Sequence, residues 1–210
     1  MAESASTVFV VDDDPAIRDS LHWLVASVNL EVETFASGQA FLDAYQWDRT
    51  GCLLVDVRMP GMSGLDLQAE VKTRGIQLPV IIITGHGDVE MAVRAMKAGA
   101  FDFIQKPFND QTLLELLQKA VDLSVSRSRE AAEQARIQRQ LGQLTPRERQ
   151  VLDRIVAGEP NKAIAQHLGR SEKTVEFHRA KVMEKMQARS LAELMRKVMI
   201  AEPGRYEALS

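Results

Sequence analysis

Three carboxylates in a row, Asp12, Asp13 and Asp14, follow directly on the β-branched pair Val10-Val11. Two carboxylates about 4 Å apart repel by about 4 kcal/mol at the effective dielectric usual near a protein surface, so the cluster needs a counter-charge. A fourth acid, Asp56, ends the apolar run CLLVD (52–56). Thr84 ends PVIIIT (79–84), and Lys106-Pro107 comes just after FDFI (101–104). If these runs are parallel strands ending at one rim, three acids, a hydroxyl and an ammonium converge there. Clustered carboxylate oxygens suit a hard divalent cation, and Mg²⁺ takes a couple of carboxylates together with water and phosphate oxygens. Beside such a cation and a lysine, one carboxylate can attack a phosphoryl donor and become an aspartyl phosphate. The cation, Lys106 and the Thr84 hydroxyl then neutralise charge on the phosphoryl oxygens. Each residue alone has a plainer use: Asp14-Pro15 reads as a helix cap and first helical position, and Lys106-Pro107 by itself says little. Their order, spacing and shared place at strand ends carry the chemical reading.

The elements that would position them show in the periodicity. Strands are expected at TVFVV (7–11), VETF (32–35), CLLVD, PVIIIT and FDFI. The first, third and fourth are almost continuously apolar, as in a parallel sheet buried on both faces. Helical spacing falls near 15–28, 38–46, 64–74, 88–98 and 109–123. This alternation predicts an α/β doubly wound domain over 1–123 with five parallel strands, which binds ligands at the carboxyl ends of its strands. Residues 124–142, SVSRSREAAEQARIQRQLG, read as a polar helical linker. Over 143–210 strand signals cease, and an all-α domain is expected with helices near 146–157, 161–168, 172–186 and 190–200. Thr145-Pro-Arg-Glu148 and Ser190-Leu-Ala-Glu193 read as capping boxes, with Gly158, Pro160 and Gly169 as punctuation.

Composition sets the bounds. The chain has 210 residues, 45% hydrophobic and 26% charged, which is ordinary for a soluble globular protein. One cysteine, Cys52, excludes a disulfide within the chain and fits a reducing compartment; it reads as a small buried hydrophobe. The start, MAESAST, lacks the basic and apolar segments of a secretory signal. No apolar run approaches the roughly 20 residues of a membrane helix, so a cytoplasmic protein without a membrane partner is expected. The net charge of −3 conceals an asymmetry: residues 1–140 hold 13 Lys/Arg against 20 Asp/Glu, and 141–210 hold 13 against 9. A basic tail on an acidic body hints at nucleic acid.

In that tail, the turn GRS (169–171) joins a short apolar-faced helix to one capped by Ser171. Val175, Val182 and Met186 form the apolar stripe of the second helix; Lys173, Thr174, Glu176, His178, Arg179 and Lys181 occupy the rest. Cations and short hydroxyls on an exposed helix face suit a recognition helix in the major groove. A plain helical bundle with a solvated charged face has the same pattern.

The motifs VVDDD, LLVDVRMPGMSGLDL, IIITGHGD and AMKAGAFDFIQKPF make residues 1–125 resemble a response-regulator receiver domain. Residues 143–200, above all TVEFHRAKVMEKMQARSL, resemble a LuxR-type helix-turn-helix of the FixJ/NarL family. The resemblance implies a flavodoxin-like receiver with Asp56 as phosphoacceptor and Mg²⁺ held by Asp12, Asp13, Asp56 and the backbone carbonyl of Arg58. Thr84 and Lys106 would sense the phosphoryl group, with Phe103 as the aromatic switch. The resemblance also implies a cis Lys106–Pro107 bond, where general frequencies favour trans. In the tail, Lys162, Lys173, Thr174, Glu176, His178, Arg179 and Lys181 would line DNA, Glu176 either reading a cytosine amino group or pointing away. Glu148 is assigned to its cap and the last helix to dimer contacts. The implied partners are a sensor histidine kinase, promoter DNA, RNA polymerase holoenzyme and, on phosphorylation, a second copy of the chain. An aspartyl-nucleophile phosphatase is the enzymatic alternative; it wants an acid two residues after its nucleophile, where Arg58 stands. The other alternative is a DNA-binding regulator that works without phosphorylation. His86 reads as a polar loop residue, and Met59, Met62, Met91 and Met96 as packing and surface residues.

Overall fold

In the computed structural model, residues 6–47, 49–85 and 89–205 are described; His86 lies outside them. The chain divides into two compact units between Arg129 and Glu130. The first runs β1 (Thr7–Val11), α1 (Pro15–Ala26), β2 (Glu31–Phe35), α2 (Gly38–Ala44), β3 (Gly51–Asp56), α3 (Gly64–Thr73), β4 (Val80–Thr84), α4 (Val89–Lys97), β5 (Asp102–Gln105) and the start of α5 (Asp110–Gly142). All pairings are parallel, in the order β2-β1-β3-β4-β5, which is the flavodoxin-like arrangement.

The alternation of side chains along the strands builds two cores. Phe9, Val11, Leu53, Val55 and Ile82 pack on one face with Phe41 of α2, Leu67 and Val71 of α3 and Ala95 of α4. Val8, Val10, Leu54, Ile81 and Ile83 pack on the other with Leu21 and Val25 of α1 and Leu113 and Leu117 of α5. Cys52 belongs to the second face, and its burial pushes the thiol pKa up to about 12.

The segment 124–142, read as a polar helical linker, is helical. It continues α5 without a break, and its two ends serve different units. Ser124 Oγ accepts the Gly51 N–H at 3.1 Å in the first. Ile137 and Leu141, four residues apart and hence on one helix face, are buried in the core of the second. Two apolar residues suffice there because they complete another core.

The second unit adds α6 (Pro146–Val156), α7 (Asn161–Leu168), α8 (Glu172–Lys185), α9 (Leu191–Ala201) and a 3₁₀ turn at Pro203–Arg205. Val151, Leu152, Ile164, Val175, Val182, Met186, Leu194 and Val198 form its interior. The α7–α8 turn passes through Gly169 at φ +61° and is capped by Ser171. The Thr145–Glu148 capping box is complete. The expected box at Ser190 is only half formed: Ser190 Oγ accepts the Glu193 N–H, but the Glu193 carboxylate takes the Arg189 N–H at 2.9 Å. A box missing from the sequence reading closes α3 instead, between Ser63 and Asp66; aspartate there departs from the usual Glu/Gln.

Glu148 does more than cap. It is buried, with Lys185 Nζ at 2.6 Å and the Thr145 N–H at 2.8 Å. Burial alone would raise its pKa, but the Lys185 ammonium and the Thr145 bonds outweigh it and hold the carboxyl below the ordinary glutamate range. A depressed folded-state pKa gives stability that is present above the unfolded value of about 4.3 and lost as pH falls through the folded one. The hydrogen-exchange protection of α6 amides in the full chain, taken relative to the intrinsic rate at each pH, should therefore fall below about pH 4.3. In Glu148→Gln, exchange should be faster at pH 7 and should respond less to acid.

Candidate functional site

The carboxyl ends of β1, β3, β4 and β5 form one rim. Asp12 follows β1 and is 3% exposed; Asp56 ends β3 at 9%; Thr84 ends β4 at 0%. The Lys106 N–H donates to the Thr84 carbonyl at 2.8 Å, carrying the β4–β5 pairing one step further. The Lys106–Pro107 bond is cis. From there Lys106 Nζ reaches Asp12 Oδ2 and Asp56 Oδ1, each at 2.9 Å. The repulsion between the carboxylates is thus met by one ammonium. Burial works against the charged lysine, but Asp56 and Asp12 prevail and hold its pKa above the ordinary range. The other carboxylate oxygens are also engaged: Asp12 Oδ1 accepts the Asp14 N–H at 2.9 Å and Asp56 Oδ2 the Arg58 N–H at 2.6 Å.

Asp13 does not join this pair. It is exposed and lines an adjoining cavity of about 600 Å³ with Arg58, Leu65, Met91 and Arg94. Asp13 sits in the bend beyond the end of β1, where the chain turns toward α1. Among the described residues no three of His, Cys, Asp or Glu sit close enough together to hold a metal ion. Phe103 is half-buried on β5, paired with Ile82 and packed on the α2–α4 side of the sheet. Val80 and Ile82 face that side too, so by alternation does Thr84.

Two supports of the rim are absent from the sequence reading. Arg18 of α1 donates through one guanidinium nitrogen to the Asp12 and Asp13 carbonyls at 2.8 and 2.9 Å, fixing the backbone of the acidic turn. Gly64, the first residue of α3, donates its N–H to the Val57 carbonyl at 3.0 Å, and a Cβ at that position would lie 2.3 Å from the Asp56 carbonyl oxygen. The glycine in GMSGLDL was the available signal. Asp14 caps α1 as expected, accepting the Ala16 N–H at 2.8 Å.

In the second unit, Lys162 on α7 and Lys173 and Glu176 on α8 are exposed. The Thr174 hydroxyl lies 2.8 Å from that of Ser171 and so belongs to the helix cap. Arg179 donates to Asn161 Oδ1 at 3.1 Å, bracing α8 against α7, and Lys181 pairs with Glu184 at 2.8 Å. His178 is half-buried, and its Nδ1 has no hydrogen-bond partner among the described residues. Phe177, which the sequence reading passed over, is 60% exposed on the same helix. Among the described residues no helix is long and apolar enough to cross a membrane.

Residues 8–118 match the response regulator receiver domain family, and residues 142–198 match the luxR family of bacterial regulatory proteins. The transcriptional regulatory protein FixJ of Azorhizobium caulinodans is 46% identical over 194 residues, covering 92% of each chain. The transcriptional regulatory protein TdiR of Thauera aromatica is 44% identical, covering 93% of this chain and 86% of its own. Among solved structures, the response regulator StyR superposes with a TM-score of 0.86 at 43% identity, covering 92% of this chain and 98% of that one. The two matched segments together span most of the chain, in the order of the two structural units. The chain belongs to the two-component response regulators that join a receiver domain to a LuxR-type DNA-binding domain and regulate transcription.

Proposed function

We propose that Asp56 accepts a phosphoryl group from a sensor histidine kinase in the cytoplasm. The phosphorylated chain then forms a homodimer on promoter DNA and engages RNA polymerase holoenzyme, chiefly to activate transcription. The observation that carries this reading is the single ammonium of Lys106 lying 2.9 Å from both Asp12 and Asp56. It holds the acceptor carboxylate where charge arriving with a phosphoryl group meets a fixed cation. Asp56 Oδ1 attacks phosphorus, and the leaving group departs with the donor. Lys106 exchanges part of its bond to Asp56 for the phosphoryl oxygens, and the Thr84 hydroxyl donates to the same group. Turning the Asp56 carboxylate into an acyl phosphate adds about one net negative charge and three phosphoryl oxygens, which biases the rim between two arrangements, with Phe103 on the Thr84 face of the sheet as the moving ring.

Asp12, Asp13, Asp56 and the Arg58 carbonyl offer only hard oxygens, the donor type Mg²⁺ takes, and Asp13 would turn in to join the other two. These residues would hold it, and it would supply further neutralisation of the phosphoryl charge. Arg58, standing where an aspartyl phosphatase needs an acid, supports signalling over turnover. On DNA, Lys162, Lys173 and Lys181 would meet phosphates while Thr174, Glu176 and His178 lie toward base edges, with Arg179 holding α8 in place. Pairing two such units on adjacent half-sites raises avidity without any new base contact.

Acetyl phosphate with Mg²⁺ tests the proposal. Wild type should gain one phosphoryl group by intact mass, and Asp56→Ala none. An unmodified wild type, or a modified Asp56→Ala, would remove Asp56 from the role.

A further inference from the structure

Against α3 lies a cavity of about 220 Å³ that shares no residue with the phosphoacceptor rim. Val71 of α3 and Ile76 and Leu78, on the approach to β4, give it aliphatic walls. Gln68 lines it too and is 3% exposed. Its Nε2 donates to the Ala95 carbonyl of α4 at 3.1 Å, which fixes the orientation of the amide. Gln68 Oε1 is then a buried acceptor that no donor among the described residues reaches. A buried acceptor without a donor costs stability, and a molecule that supplies one recovers it. Lys72 and Arg127 are also in the lining; both are exposed, and among the described residues neither has an acid partner. Aliphatic walls with a few convergent polar groups are the usual make-up of a small-molecule site.

We propose that this cavity binds a small carboxylic acid with a hydroxyl or amino donor at its far end. The walls take the carbon chain, Gln68 Oε1 accepts from the donor, and Lys72 and Arg127 face the carboxylate. At a water's liquid share of about 30 Å³, the space equals about seven waters, enough for a chain of six carbons with its two polar ends. The occupant also touches the switch region indirectly. Gln68 ties α3 to the Ala95 carbonyl, which accepts the Ala100 N–H at the end of α4 as well. A ligand gripping Gln68 therefore steadies the last turn of α4.

The test uses methyl NMR of the full-length chain titrated with 6-hydroxyhexanoate, hexanoate and 1,6-hexanediol. The hydroxy acid should give saturable shifts at the methyls of Val71, Ile76 and Leu78, with a Kd of about 1 mM or below. Hexanoate, which lacks the donor, and the diol, which lacks the charge, should each bind about tenfold more weakly. Lys72→Ala with Arg127→Ala should weaken the acid about tenfold and leave the diol unchanged. Gln68→Met should erase the preference for the hydroxy acid over hexanoate. Absence of saturable shifts, or equal binding of all three probes, overturns the proposal. The surface pair of substitutions keeps the test decisive if Gln68→Met fails to fold. Failure here leaves the chemistry of Asp56 untouched.

Discussion

Lys106→Met should lower the stability of the receiver unit by about 3 kcal/mol at pH 7, the usual cost of removing one partner from a buried ion pair. Methionine keeps the length of the stem and deletes the ammonium. Asp12 and Asp56, both nearly buried, would then face each other with no cation between them. The urea midpoint of the full chain should drop accordingly. Asp12→Asn combined with Lys106→Met should recover much of the loss at pH 7, since the variant then holds one charge in place of two. The same substitution should uncouple phosphorylation from output: acetyl phosphate should still modify Asp56, while the oligomeric state measured by light scattering stays that of the unmodified chain. Normal stability together with a normal phosphorylation-dependent change of oligomeric state would sink both the electrostatic account and the switching role.

Gly64→Ala should be about as damaging, for a steric reason. The added Cβ would lie 2.3 Å from the Asp56 carbonyl oxygen and 3.1 Å from the Val57 Cα, both main-chain atoms of the acceptor strand and its exit. No rotamer relieves a clash between two backbones. Either α3 retreats, losing the Gly64 N–H bond to Val57, or the end of β3 shifts and takes Asp56 away from Lys106. Overpacking of this kind costs about 1–3 kcal/mol and sometimes more. A displacement of about 1 Å at a reacting group can cost a hundredfold in rate. Phosphorylation by acetyl phosphate should slow by at least about tenfold in Gly64→Ala, while far-ultraviolet circular dichroism stays that of a folded chain. Wild-type rate and stability in that variant would show that the loop absorbs the methyl group.

The legible part of this molecule is the part where one residue has one job. The runs at 7–11, 52–56 and 79–84 are buried on both faces, and their continuous apolar character announces them. Asp56, Thr84 and Lys106 stand at strand ends, so fixing the strands fixes the rim. The edges are fainter: β2 has only exposed and half-buried residues, and β5 has only four residues, none fully buried. The helix over 124–142 was legible, but the burial of Ile137 and Leu141 was not, because composition averages over a segment and these two act singly in a core assembled from distant helices. Arg18 was hidden because its targets are carbonyl oxygens, which every residue owns. Ser190 and Glu193 have the box spacing, but the nearby Arg189 N–H takes the carboxylate, a competition that spacing does not encode.

Cys52 has a practical consequence for anyone who wishes to watch the chain move. It is the only thiol in the sequence, lies fully inside the receiver, and has a pKa near 12. Thiolate is the reactive form, so maleimide and nitroxide reagents find almost no native target while the fold is intact. A fluorophore or spin label attached through a cysteine engineered onto α8 or α4 would report from that place alone, with the native residue left as it is. Slow modification of Cys52 itself would serve as a clock for transient opening of the sheet.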